Sequence, residues 1–182
     1  MDTCTRQALL LVCLQIGLLI LVAHLNWTVP ANLWLLSALL LFVSLFVIPY
    51  APRLAWCLFT LALLGTMTPA YQQMPAGTAH SAACTTVLLL LFASLFVNEE
   101  LPWSALNPWL QGALLFLIVV LFWNICSPLD ARLLSAVSVL GAAVFTLFIM
   151  RDLSQKVCDS PWERSIVLTL DLVNLFNFTS MQ

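Results

Sequence analysis

Charge is what this chain has least of. Only 8% of its 182 residues are Asp, Glu, Lys or Arg, against 63% hydrophobic. Soluble domains carry about 25% charge, so a water-soluble globule is excluded: an aqueous surface cannot be built from so few ionised groups. Neither sign dominates. Six basic and eight acidic residues leave a net charge of −2, too little to attract nucleic acid or another polyanion. Metal and catalytic signatures are missing too. The six cysteines, Cys4, Cys13, Cys57, Cys84, Cys126 and Cys158, form no C-x-x-C pair. His24 and His80 stand apart from each other and from any cysteine cluster. A thiolate zinc site is therefore not expected. The cysteines read as unpaired structural thiols, and the histidines as interfacial residues. No H-E-x-x-H, G-x-S-x-G or Gly-rich phosphate loop occurs. No enzymatic activity and no cofactor are expected.

What the chain has is apolar runs. Seven cover approximately 7–25, 33–49, 53–70, 79–97, 109–125, 131–150 and 163–181. A span takes about 20 residues, so seven use about 140 and leave about 42 for termini and connections. There is no room for a soluble domain. Residues 1–182 are expected to form a single transmembrane domain, an all-α polytopic membrane helix bundle with seven transmembrane helices. The breaks carry turn chemistry: Asn26 to Pro30, Pro49 to Pro52, Met74 to Gly77, Asn98 to Pro108 and Ser127 to Asp130. Proline stops a helix because it lacks the N–H and clashes with the preceding turn. Trp27, Trp34, Trp56, Trp103, Trp109, Trp123 and Trp162 fall mostly near the run ends, where an amphipathic indole prefers to sit.

The basic residues set the orientation. With the N-terminus in the cytosol, Arg6, Arg53, Arg151, Lys156 and Arg164 fall on the cytosolic side, and Arg132 alone on the other. The positive-inside bias predicts a cytosolic N-terminus. The first run is longer than a signal-peptide core and lacks an A-x-A site, so no cleavage is expected. The sequons Asn26-Trp27-Thr28 and Asn177-Phe178-Thr179 lie against the membrane and are expected to stay unmodified.

Ionisable residues inside a bilayer are the informative ones, because each is costly there. Glu99 and Glu100 end the fourth run and read as a solvated loop, with a cation-attracting vestibule as the alternative. Asp130 and Arg132 read as an interfacial pair. Arg53 begins the third run, where it either snorkels or latches onto a buried carboxylate. Asp171 differs: it lies within the apolar run from Ile166 to Phe176, so it should face protein rather than lipid. Asn174 is three residues on, on nearly the same face, and Phe178 continues that face. Ser160-Pro161-Trp162-Glu163 reads as a capping box with Pro at the first helical position. That start places Asp171 about 16 Å along the helix. A protonated Asp bonded to a neighbouring helix competes with an ion- or proton-linked site. A second carboxylate, Asp152, ends the sixth run beside Arg151. A simple hairpin turning near Cys158 leaves the two aspartates offset by about 10 Å.

At these segments the chain resembles the transmembrane Bax-inhibitor-motif family, also called the Bax inhibitor-1 or LFG family. Phe145 to Gln155 resembles its sixth-helix ending, in which Asp is followed by Thr-Gln. Leu168-Thr169-Leu170-Asp171-Leu172-Val173-Asn174-Leu175-Phe176 resembles its last-helix pattern Leu-Tyr-x-Asp-Ile-Ile-Asn-Leu-Phe. Ser160 to Glu163 matches a common family helix start, and the seven-run layout extends the likeness over nearly the whole chain. The short termini resemble the compact members encoded by large DNA viruses, the cytomegalovirus seven-span branch among them. The resemblance implies a Bax-inhibitor-like fold. It also implies that Asp152 and Asp171 are the carboxylate pair at the cytosolic end of a pore, sensing protons and controlling a calcium leak. Two close carboxylates cannot cheaply ionise together, and a deprotonated pair attracts a hard cation such as Ca²⁺. Four departures stand out. Asp152-Leu153-Ser154-Gln155 replaces Asp-Thr-Gln, Arg151 precedes Asp152 and is placed to neutralise it, Thr169 replaces the Tyr, and no basic tail follows Gln182.

The expected function is a pH-sensitive calcium-leak channel of intracellular membranes, the endoplasmic reticulum first. It would lower store calcium and restrain apoptosis. Its expected partners are membrane lipid, Ca²⁺ as permeant ion, and membrane proteins of cell death. Asn174, Arg53 and Arg151 support the aspartate pair. The alternative is a non-conducting membrane interaction protein acting in cell death, adhesion or immune recognition. Small residues such as Ser37, Ser44, Gly65, Ser94, Ser138 and Gly141 would then pack helix against helix, within the bundle or with a partner.

Overall fold

The computed structural model describes residues 3–25, 30–95, 102–154 and 160–180. It is all-helical there, with seven helices: α1 (Thr3–His24), α2 (Ala31–Val47), α3 (Pro52–Gln73), α4 (Ala76–Leu95), α5 (Trp103–Cys126), α6 (Ala131–Ser154) and α7 (Pro161–Ser180). Among the described residues each apolar run falls on one helix. The largest displacement is at α5, which starts at Trp103 and carries Pro108 inside it. The Pro102 carbonyl accepts the N–H groups of Ala105 and Leu106 at 3.0 and 3.1 Å. The first turn is thus closed before Pro108, whose missing N–H forfeits one further bond. Pro69 lies inside α3 in the same way, and that helix runs on to Gln73.

Four helices, α1, α3, α5 and α6, are long and apolar enough to cross a membrane. The apolar part of α2, Leu35–Val47, is shorter. Helix α7 has the length but carries Glu163, Arg164 and Asp171. The surface agrees with a membrane-embedded helical protein. Leu10 is 70% exposed, Phe46 76%, and Trp109 and Ile125 80% each. Apolar exposure on that scale drives association in water and costs nothing against lipid tails.

The chain divides into two compact units. The first joins α1, α2 and α3 with α7 up to Thr169; the second joins α4, α5 and α6 with α7 from Leu170. In the first unit, α3 packs on both α1 and α2. Gly65 permits the α2–α3 approach: a Cβ there would run into the side chain of Ser37. Phe59, Leu63, Ile166 and Leu168 fill the core. Trp56 belongs to that core rather than to an interfacial belt, with its ring edge-on to Trp162 at 5.5 Å.

In the second unit α5 packs on α6. Of the apolar window of α6, 56% is buried, against 11% in α5, so α6 is the inner helix of this pair and α5 the lipid-facing one. Their connection is closed by Asn124, whose Oδ1 accepts the Leu129 N–H at 2.8 Å. Asp130 caps α6, its Oδ1 accepting the Leu133 N–H at 2.7 Å. The expected interfacial partner of Arg132 is therefore an N-cap. Phe145 stacks on Phe178 at 5.7 Å. The Phe178 ring lies where a side chain on Gly141 would stand, and the Ser138 hydroxyl donates to the Phe178 carbonyl.

One expectation about sulfur is corrected. Cys13, Cys57, Cys84 and Cys126 are free thiols, but Cys4 is disulfide-bonded. Spacing along the chain carries no information about which sulfurs meet in space. Glu99, Glu100, Lys156, Cys158 and the sequon at Asn26 lie outside the described residues, as do the side chains of His24, His80, Trp34 and Ser94.

Candidate functional site

Helix α7 explains how a carboxylate is held inside. Ser160 precedes it and accepts the Glu163 N–H at 3.5 Å through its hydroxyl, while its carbonyl accepts the Arg164 N–H at 3.1 Å. Pro161 opens the helix at no cost in hydrogen bonds. From there a buried stripe runs through Arg164, Ser165, Leu168, Asp171, Leu172, Leu175, Phe178 and Thr179, widened by Ile166 and Thr169 in the first half. Its three- and four-residue steps trace one face of a 3.6-residue helix. Asp171 sits in its middle, 8% exposed. Asn174 is half-buried on its flank.

Asp152 reaches the same place from the last turns of α6 and is 4% exposed. The Asp171 carboxyl lies within interaction range of the Asp152 carboxyl. A carboxylate has no proton to give, so a hydrogen bond between the two forms only while the pair holds one. Simple hairpin geometry left the two side chains about 10 Å apart. Closing that gap takes tilt or an inward-dipping loop. The part of α7 that shares a compact unit with α6 begins at Leu170, and Asp171 is the next residue.

Arg151 completes the cluster. Its Nε donates to Asp152 Oδ1 at 2.8 Å, and its Nη2 lies 2.7 Å from the same oxygen. Its Nη1 donates to Asn107 Oδ1 at 2.9 Å. The guanidinium lies over the Phe148 ring at 4.8 Å, and its charge also reaches Asp171. With one proton shared, two carboxyls and one guanidinium are neutral together. Loss of that proton leaves a net negative charge and an extra acceptor oxygen. Asp171 Oδ2 is buried with no hydrogen-bond partner among the described residues.

Asp152, Asp171 and Arg151 are thus brought together. Arg53 is not one of this group: it lies exposed at the start of α3, with its guanidinium 5.9 Å from the Trp162 ring centroid. The cation against the carboxylates is Arg151. Among the described residues no three His, Cys, Asp or Glu side chains form a metal-binding group. Two carboxylates supply four oxygens at most, short of the six to eight that Ca²⁺ takes. Such a pair suits an ion in passage that keeps part of its water.

A second polar cluster escaped sequence reasoning. Gln15, fully buried in α1, donates from Nε2 to Thr60 Oγ1 at 2.8 Å and accepts from Thr169 Oγ1 at 2.6 Å. The Thr60 hydroxyl in turn donates to the Trp56 carbonyl at 2.8 Å. The Arg164 Nη1 donates to Thr5 Oγ1 at 2.7 Å. The signal for Gln15 was present, a lone amide in the apolar run from Ala8 to Ala23. The rule that isolates Asp171 applies to it more weakly, because an amide carries no charge. No family model matches the sequence.

Proposed function

We propose that this chain is a pH-sensitive calcium-leak channel, with Asp152 and Asp171 as its proton-linked gate. The observation that carries the reading is the contact of two buried carboxyls beside a single guanidinium. Proton loss removes the hydrogen bond that joins α6 to α7 and exposes acceptor oxygens to a hard cation. Gate opening and cation affinity then change in one step. Arg151 holds Asp152 in place, and Asn174 lies one turn beyond Asp171 to offer a further oxygen along the same path. The likeness of Leu168 to Phe176 and of Phe145 to Gln155 to the Bax-inhibitor-motif family supports the assignment. With it come the proposals of seven spans, a cytosolic N-terminus, an endoplasmic reticulum or other intracellular membrane, and a role in restraining apoptosis.

The small residues bear on the interaction reading. Ser37 with Gly65, and Ser138 and Gly141 with Phe178, are spent on packing inside their own units. That leaves fewer of them for a partner helix.

The test is Ca²⁺ flux into proteoliposomes across a pH series, with wild type beside Asp171→Asn. Asparagine keeps a donor toward Asp152 but cannot lose a proton. Flux that varies with pH in wild type and not in the variant is expected. Equal pH dependence in both would remove the aspartates from the gate.

A further inference from the structure

The first unit carries a groove of about 730 Å³ that the aspartate gate does not use. Gln7, Leu10, Leu11 and Leu14 line it from α1, Pro52 and Arg53 from the start of α3, and Ser160, Pro161 and Trp162 from the start of α7. Its α1 wall follows one helical face, because these residues recur at three- and four-residue steps. From Gln7 to Leu14 that wall runs about 10 Å along the helix axis. The rest of the lining comes from the beginnings of two helices. Leu10 and Leu14 are 70% and 51% exposed, so the groove opens sideways, toward the lipid that surrounds a membrane span.

Chemistry divides the groove into two parts. The leucine wall is apolar and straight, matched to an alkyl chain. Among the described residues of the lining Arg53 is the one ionised side chain, with no acidic residue beside it. The guanidinium stands 5.9 Å from the Trp162 ring centroid. A ring at that distance attracts the cation and leaves guanidinium N–H groups to grip a phosphate. Trp162 is also the type of side chain that settles at headgroup depth. A cationic headgroup would be repelled here; a phosphodiester with no compensating cation would not.

We propose that this groove binds one anionic glycerophospholipid, its phosphate on Arg53 and an acyl chain along Leu10, Leu11 and Leu14. The lipid is a bound ligand with a headgroup preference, beyond the general solvation of a membrane protein. The orientation proposed above places it in the cytosolic leaflet, where anionic lipids concentrate.

The test is native mass spectrometry of the full chain, released from detergent with equimolar palmitoyl-oleoyl phosphatidylglycerol and phosphatidylcholine. Wild type is expected to retain one phosphatidylglycerol per chain in preference to phosphatidylcholine. Arg53→Gln should lower that retention about tenfold, the loss of one charge-assisted contact, and Arg53→Lys should keep part of it. Arg132→Gln removes an exposed arginine at the start of α6 and should leave retention unchanged. Leu14→Trp fills the apolar end without touching Arg53, and should expel the lipid too. Equal retention of the two lipids by wild type overturns the proposal. So does a loss in Arg132→Gln equal to that in Arg53→Gln, or full retention in Leu14→Trp.

Discussion

Removing the Thr169 hydroxyl should cost at least as much stability as removing Gln15 altogether, although it breaks fewer hydrogen bonds. Gln15 makes two buried bonds, one to Thr60 at 2.8 Å and one from Thr169 at 2.6 Å. Hydrogen bonds between membrane helices average about 0.6 kcal/mol and reach about 1.7. Gln15→Leu therefore loses about 1 to 2 kcal/mol, with no hydrophobic return, since lipid is as apolar as the core. Its former partners are not stranded. Thr60 still donates to the Trp56 carbonyl at 2.8 Å, and the Thr169 hydroxyl can turn to the carbonyl four residues back in α7. Thr169→Val is different. It leaves the Gln15 Oε1 buried without a donor, and an orphaned polar atom costs about 1 to 3 kcal/mol. In the double variant that orphan is gone, so its loss should fall below the sum of the two singles by about 1 kcal/mol. The assay is reversible unfolding in mixed micelles with a denaturing detergent, run as a double-mutant cycle. Additive losses, or a Thr169→Val loss smaller than that of Gln15→Leu, would refute the geometry of this cluster.

Two further predictions address the second unit. Gly141→Ala should destabilise by about 1 to 3 kcal/mol, because the new methyl meets the Phe178 ring. Adding Phe178→Leu should recover part of the loss. Gly17→Ala is the control: nothing lies within 4 Å of that position, and the change should stabilise by up to about 1 kcal/mol through helix propensity. Arg151→Gln should cost about 3 kcal/mol by leaving Asp152 without its cation. That is the low end for a buried pair broken from one side, because the Arg151 side chain keeps 22% exposure. Asp152→Asn on top should restore more than half of it. The same unfolding assay reads all of these.

The helices were legible because lipid demands long apolar runs, and a run of about 20 residues has one regular structure open to it. The misplaced start of α5 came from treating Pro108 as a terminator, when a proline in the early turns costs one bond. The role of Asp130 was local, an N-cap ahead of Ala131, but its neighbour Arg132 drew the more obvious pairing. Asp171 stood out by charge alone. Its contact with Asp152 was out of reach of hairpin arithmetic, because residue counts from a turn do not fix the stagger of one helix against another. Gln15 was hidden by its neutrality, and Cys4 because a disulfide is a fact of space rather than of spacing.

Helix α7 shows why a proton is able to move a helix here. It has the length of a span but too much charge to face lipid, so its polar groups must be met one by one. Arg164 meets Thr5, Thr169 meets Gln15, Asp171 meets Asp152, and Thr179 meets Thr86 at 3.2 Å. All four of these α7 residues are buried, while Glu163 is exposed at its first turn. A helix such as α5, with 11% of its window buried and no charged side chain of its own, depends far less on such pairs. For α7 each satisfied pair is a condition of staying put. Of the four, the Asp152–Asp171 contact is the one that two ionised groups cannot keep, since it needs a proton between them. A change of one charge there acts on the helix with the least apolar reserve, and packed interfaces respond to such a push by shifting between arrangements rather than by yielding smoothly.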